Sequence, residues 1–75
     1  MTALDVVFRY GTRPGTREMR ALDAVREVYG IRRIQFDEAD HTVRVEYDAS
    51  RLSDEEVAAL LRRADLDVGE RVRLA

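Results

Sequence analysis

The spacing of apolar residues predicts an α+β sandwich, in which a four-stranded antiparallel sheet carries two helices on one face. Three observations lead there. Leu4, Val6, Phe8 and Tyr10 recur every second residue, the period of a half-buried strand. Two later stretches, opening near Arg17 and Asp54, space their apolar residues at the 3.6-residue period of a helix. Between and after them the chain returns to period two, giving the order strand-helix-strand-strand-helix-strand. Both helix stripes are then buried against a single sheet, the βαββαβ arrangement of the ferredoxin-like fold.

The elements follow in chain order. After the first strand, Gly11-Thr12-Arg13-Pro14-Gly15-Thr16 contains two glycines and the only proline, so it is read as a loop. Residues 17–29 are read as the first helix. Ala21, Leu22, Val25, Val28 and Tyr29 share its stripe, Glu18 suits the positive end of its dipole, and Gly30 is the expected C-terminal cap. Ile31, Ile34 and Phe36 mark the second strand. Asp37-Glu38-Ala39-Asp40 makes a polar turn, and 42–47 alternates with Val43, Val45 and Tyr47 on one face, so the two strands form a hairpin. Ser53-Asp54-Glu55-Glu56 is a capping box, the serine accepting from the third helical amide while Glu56 reaches back. The helix it opens has the stripe Val57, Leu60, Leu61 and Ala64. Leu66, Val68, Val72 and Leu74 form the last strand, with an irregularity expected at Gly69-Glu70.

Composition narrows the function classes. The 75 residues are assigned to one domain, 1–75, with no linker, repeat or low-complexity tract. There is no cysteine, which excludes a disulfide framework, a cysteine-type zinc site and a thiol nucleophile. The 13 cationic side chains, all arginine, stand against 15 Asp and Glu for a net charge of −2, so bulk charge does not select nucleic acid or an anionic membrane. The apolar run 57–61 is far short of the ~20 residues of a spanning helix. Met1-Thr2-Ala3-Leu4-Asp5 lacks the basic start and apolar core of a secretory signal. A soluble, cytoplasmic chain with no membrane partner is expected.

Within 11–68 the motifs have a joint spacing that matches a known family. Gly30-Ile31 follows the first helix, Ile34 and Phe36 come next, Tyr47-Asp48 closes the hairpin, and Ser53, Val57, Leu60 and Leu61 continue without a gap. In this the chain resembles the heavy-metal-associated domain of copper chaperones and metal-pumping ATPases, where a Gly-Met-x-Cys-x-x-Cys loop precedes the same order of elements. The resemblance implies the same fold, and it marks positions where the family's metal chemistry is missing. Gly11 keeps the opening glycine and Thr12 replaces the methionine. Pro14 and Arg17 stand where the two cysteines belong, and Asp65-Leu66 where a Gly-aromatic pair is usual. Copper(I) needs soft thiolates, and neither proline nor arginine offers it a lone pair. A guanidinium at Arg17 would also repel a cation. The expectation is a non-enzymatic, heavy-metal-associated-like domain without cofactor, degenerate at Gly11, Thr12, Pro14 and Arg17.

Three candidate sites remain. Thr12, Arg13, Gly15, Thr16 and Arg17 stand at the start of the first helix and resemble an anion cradle of free amides, hydroxyls and guanidiniums. The plainer reading is a solvated loop with Thr16 capping the helix. His41 with Asp37, Glu38 and Asp40 offers nitrogen and carboxylate ligands to zinc or another divalent ion, a weak alternative to an ordinary polar hairpin turn. Alternation places Asp5, Val7, Arg9, Arg33, Gln35, Arg44, Glu46, Arg71 and Arg73 on the sheet face away from the helices. Five arginines there suggest RNA or an acidic partner. A single-strand reader of this topology, however, stacks bases on aromatics, and Phe8, Tyr10, Phe36 and Tyr47 all have the inward parity. The plainer reading is a solvated sheet face on which Asp5 and Glu46 pair with neighbouring arginines. Among functional readings, a protein partner or self-association through this face is expected over nucleic acid. Catalysis has little to work with: one histidine, no cysteine, and none of the asparagine that acylphosphatases of this fold require.

Overall fold

The structure, a computed structural model, describes residues 3–12 and 14–72. Strand β1 (Ala3–Tyr10) leads to helix α1 (Thr16–Arg26), the hairpin β2 (Ile31–Asp37) and β3 (Thr42–Asp48), helix α2 (Asp54–Arg63) and strand β4 (Val68–Val72). The sheet order is β2-β3-β1-β4, and every neighbouring pair is antiparallel. This is the expected ferredoxin-like α+β sandwich, with each helix crossing between two parallel strands that hold a third between them.

The core lies between the helices and one face of the sheet. Val6, Phe8 and Tyr10 of β1 and Val43, Val45 and Tyr47 of β3 meet Leu22 and Val25 of α1 and Val57, Ala58 and Leu61 of α2. Tyr10 and Phe36 pack edge to face, ring centroids 5.8 Å apart. The α2 stripe includes Ala58, while Leu60 is only half-buried. Leu4 has the inward parity yet is 47% exposed, so β1 contributes to the core only from Val6 onward.

The capping box of α2 forms as expected: Glu56 N–H donates to Ser53 Oγ (3.2 Å) and Ser53 N–H to Glu56 Oε1 (3.1 Å). Helix α1 departs from expectation at both ends. Its N-cap is Gly15, with no side-chain cap bond, and Thr16 is the first helical residue. It ends at Arg26, four residues before Gly30. Glu27 N–H donates to Ala24 O and Val28 N–H to Val25 O, the shorter turn bonds that close a helix. Within a few residues the chain must reverse to put Ile31 into register with Tyr47, so Tyr29 leaves the stripe and is 72% exposed.

Gly30 serves this reversal instead of a cap. Its φ is +106°, and an added Cβ would lie 3.0 Å from Leu52 Cδ1. Its carbonyl accepts from Asp48 N–H at 2.7 Å, tying the start of β2 to the end of β3.

Two bulges set the face assignments. Between Ile31 and Arg33 the register against β3 shifts, so Ile31 and Ile34, three apart in sequence, both point inward. Between β1 and β4, Phe8 faces Arg71 while Tyr10 faces Val68, leaving the extra residue at Gly69-Glu70, where the sequence suggests one. The consequence corrects the sequence reading. Beyond the bulge, parity reverses: Arg71 shares the side of Phe8 and the helices, pairing with Asp54 at the head of α2, and Val72 pairs with Val7 on the open face. Leu74 and Arg73 lie outside the described residues.

Gly30→Ala combines a positive φ with a crowded Cβ and is expected to cost about 1–3 kcal/mol. The measure is a lowered urea midpoint at unchanged slope. Gly69→Ala, with its nearest foreign atom at an ordinary 3.5 Å, should leave the midpoint close to wild type.

Candidate functional site

The loop that the resemblance singles out is closed by a carboxylate. Thr12 Oγ1 donates to Asp67 Oδ2 at 3.2 Å, and Gly11 N–H donates to Asp67 O at 3.1 Å. A Cβ at Gly11 would fall 2.6 Å from Asp67 Oδ2, so a larger residue there would have to displace the aspartate side chain. Asp67 is the residue that sequence reasoning missed, because the contact spans 55 residues and no local pattern marks it. Of the cradle residues, Gly15, Thr16 and Arg17 are exposed at the head of α1, and Pro14 is half-buried. Arg13 lies outside the described residues. Thr12 spends its hydroxyl on a carboxylate, and Glu18 brings its own carboxylate near Gly15. Two acidic groups thus stand where an anion would sit.

The hairpin turn does not assemble a ligand set. Asp37 Oδ1 accepts from Asp40 N–H at 3.2 Å, the turn-forming use of an aspartate. His41 adopts a positive φ of 53° and stacks on Tyr10 with ring centroids 5.8 Å apart. Among the described residues no group of three His, Asp or Glu side chains is placed to hold a metal ion.

The most organised acidic residue is Asp48, where β3 meets α2. It is buried; its Oδ1 accepts from Ser50 Oγ (2.7 Å) and Ser50 N–H (3.0 Å), and its Oδ2 lies 3.7 Å from Arg51 Nε. The Ser50 hydroxyl, then the Ser50 amide, hold its carboxyl below the ordinary 3.8; partial desolvation opposes them, while Arg51 and Arg32 reinforce them. Arg51 also stacks its guanidinium 4.1 Å from the centre of the Tyr29 ring. This cluster is structural, since its carboxylate oxygens are taken up by the turn it builds.

The helix-free face is the broadest organised surface. Register lays it out in three rows across the strands: Arg33, Glu46 and Asp5; then Gln35, Arg44, Val7 and Val72; then Asp37, Thr42 and Arg9. With Arg71 turned away, the cations in these rows are Arg9, Arg33 and Arg44 and the anions Asp5, Asp37 and Glu46. The rows are charge-balanced. Arg44 lies 3.7 Å from Asp5, and Val7, 6% exposed, is sealed beneath its neighbours. A broad concavity of about 830 Å³ spans Val7, Gln35, Asp37, Arg44 and Val72.

No protein-family model matches this chain, and no curated protein matches it. No helix among the described residues is long and apolar enough to cross a membrane.

Asp48 gives a signed pH dependence. Its folded pKa is depressed, so its contribution to stability is complete above 3.8 and is lost as pH falls below that value through the folded pKa. Denaturation midpoints should show Asp48→Asn less stable than wild type at neutral pH. The gap should close as pH is lowered below 3.8; a gap that persists unchanged into strong acid would contradict the assignment.

Proposed function

We propose that this chain is a non-enzymatic protein-interaction module on a heavy-metal-associated-like scaffold that has lost its thiolate metal site, and that the helix-free sheet face is its contact surface. The observation that carries the reading is the three-row charge pattern on that face, with three cations and three anions around Val7 and Val72. A balanced array of this kind gives no cationic platform for a phosphate backbone and no aromatic surface for bases. It suits a protein surface carrying complementary alternation, which fixes register more than it adds affinity.

The other candidates have less behind them. The scaffold's usual metal loop contains Pro14 and Arg17, neither a ligand, and Thr12 is engaged with Asp67. The anion reading at loop 11–17 faces the carboxylates of Asp67 and Glu18. The open concavity above Val7 is wide and shallow, unlike the enclosed pockets in which small molecules are transformed.

The test is a ¹⁵N-labelled sample followed by amide chemical shifts. Raising the concentration of the chain, or adding unlabelled soluble extract from the source cell, should broaden or move amides of Asp5, Val7, Arg9 and Arg44, while copper(I), zinc(II) and inorganic phosphate at millimolar concentration leave the spectrum unchanged. Changes confined to loop 11–17, or to the turn at Asp37 and His41 on addition of metal, would overturn the reading.

A further inference from the structure

We propose that the partner of this face is a second copy of the same chain, docked face to face about a two-fold axis that runs across the strands along the row of Gln35, Arg44, Val7 and Val72. The proposal rests on the reading of the helix-free face as the contact surface and adds the identity and register of the occupant.

The register of the sheet supplies the argument. A two-fold axis along the middle row exchanges the rows on either side of it. Arg33 of one copy then meets Asp37 of the other, and Asp5 meets Arg9. Each pair occurs twice by symmetry, so four opposite-charge pairs ring the interface. The remaining outer-row residue, Glu46, meets Thr42, whose hydroxyl can donate to the carboxylate. In the middle row the half-buried Val72 meets its own copy and is the apolar contact within a polar rim, Val7 lying sealed beneath its neighbours, while Gln35 meets Gln35.

Arg44 is the one residue of these rows that approaches a like charge, and its guanidinium is already drawn toward Asp5 of its own chain, 3.7 Å away. The other in-plane axis, parallel to the strands, is worse. It keeps each row facing itself, sets Asp5 against Glu46 of the other copy, and brings two carboxylates together on both sides. The chosen axis also keeps the two sets of strands aligned, as stacked sheets pack within about 30° of each other.

The face is small. Four strands of 5–8 residues at ~4.8 Å spacing make a surface below the ~800 Å² per partner of a standard interface, which fits weak, reversible association. The many exposed charges make the contact salt-sensitive.

The experiment uses sedimentation equilibrium on the purified full chain, alone and as mixtures. Wild type should self-associate to a dimer below about 1 mM, and more weakly at high salt. Asp5→Arg and Arg9→Asp each place like charges against each other twice and should weaken association by roughly tenfold or more. An equimolar mixture of the two variants sets an introduced arginine against an introduced aspartate on one side. On the other side it keeps a native Arg9 against a native Asp5, so both pairs are opposite in charge and wild-type dimerisation should return. Loss of the internal Asp5–Arg44 contact cannot be repaired by mixing, so rescue separates the interface from mere stability. Should either variant fail to fold, Arg33→Asp with Asp37→Arg repeats the test at the other side of the face.

A wild-type chain that stays monomeric overturns the proposal, as do single variants that associate like wild type or a mixture without rescue. A monomer whose Asp5, Val7 and Arg9 amides still respond to cell extract overturns this proposal alone. A response elsewhere overturns the reading beneath it.

Discussion

The constraint on which the rest of this molecule depends is the parity of its sheet. Side chains alternate between faces with a period of two, so one added residue moves everything beyond it to the other face. β3, whose Val43 and Val45 are fully buried, keeps strict alternation and serves as the reference. β1 matches it without a shift, while bulges adjust β2 against β3 and β4 against β1. The one near Arg32 lets Ile31 and Ile34 both reach the core, and the one at Gly69-Glu70 turns Arg71 toward the helices and Val72 outward. The charge balance of the open face is a product of that second bulge. Without it, Arg71 would stand on the open face and leave that surface net cationic.

The same economy of position appears at the junctions. Asp48 works through its backbone and side chain together. Its N–H donates to Gly30 O, its carbonyl accepts from Arg51 and Leu52 N–H, and its carboxylate holds Ser50. The end of one hairpin strand, the start of the other and the approach to α2 are thereby fixed by one residue. At the opposite end, Thr12 and Gly11 bind Asp67 and tie the exit of β1 to the approach of β4. A hydroxyl–carboxylate hydrogen bond and a backbone bond thus hold that region together.

What the sequence made legible follows from how far each determinant reaches. The capping box at Ser53 was readable because donor and acceptor lie within four residues, and the core stripes because period and burial are linked locally. The end of α1 was not readable. Val28 and Tyr29 continue the helical spacing, and only the pairing of Ile31 with Tyr47 forces the chain to turn earlier. The face of Arg71 was hidden for the same reason: the irregularity at Gly69-Glu70 could be suspected from composition, but which residues lie beyond it in register is decided by β1. Asp67 escaped notice entirely, since an aspartate between Leu66 and Val68 carries no mark of a partner 55 residues away. The open-face rows were half legible. Alternation named Asp5, Arg9, Arg33, Arg44 and Glu46 correctly, while their arrangement into rows needed the strand order.

That arrangement contains a local fault. Asp5 and Glu46 are directly opposed on neighbouring strands, and like charges in that position are destabilising by some tenths of a kcal/mol. The chain relieves it only in part, with Arg44 at 3.7 Å from Asp5 and Arg33 opposite Glu46. Meanwhile Arg9, on the same strand as Asp5, faces the uncharged Thr42 on β3 and the bulged Gly69-Glu70 on β4. Departures from local consistency of this kind concentrate where a surface has work beyond its own fold. Here the departure lies in an outer row of the helix-free face, where the proposed two-fold would set Asp5 of one copy against Arg9 of the other.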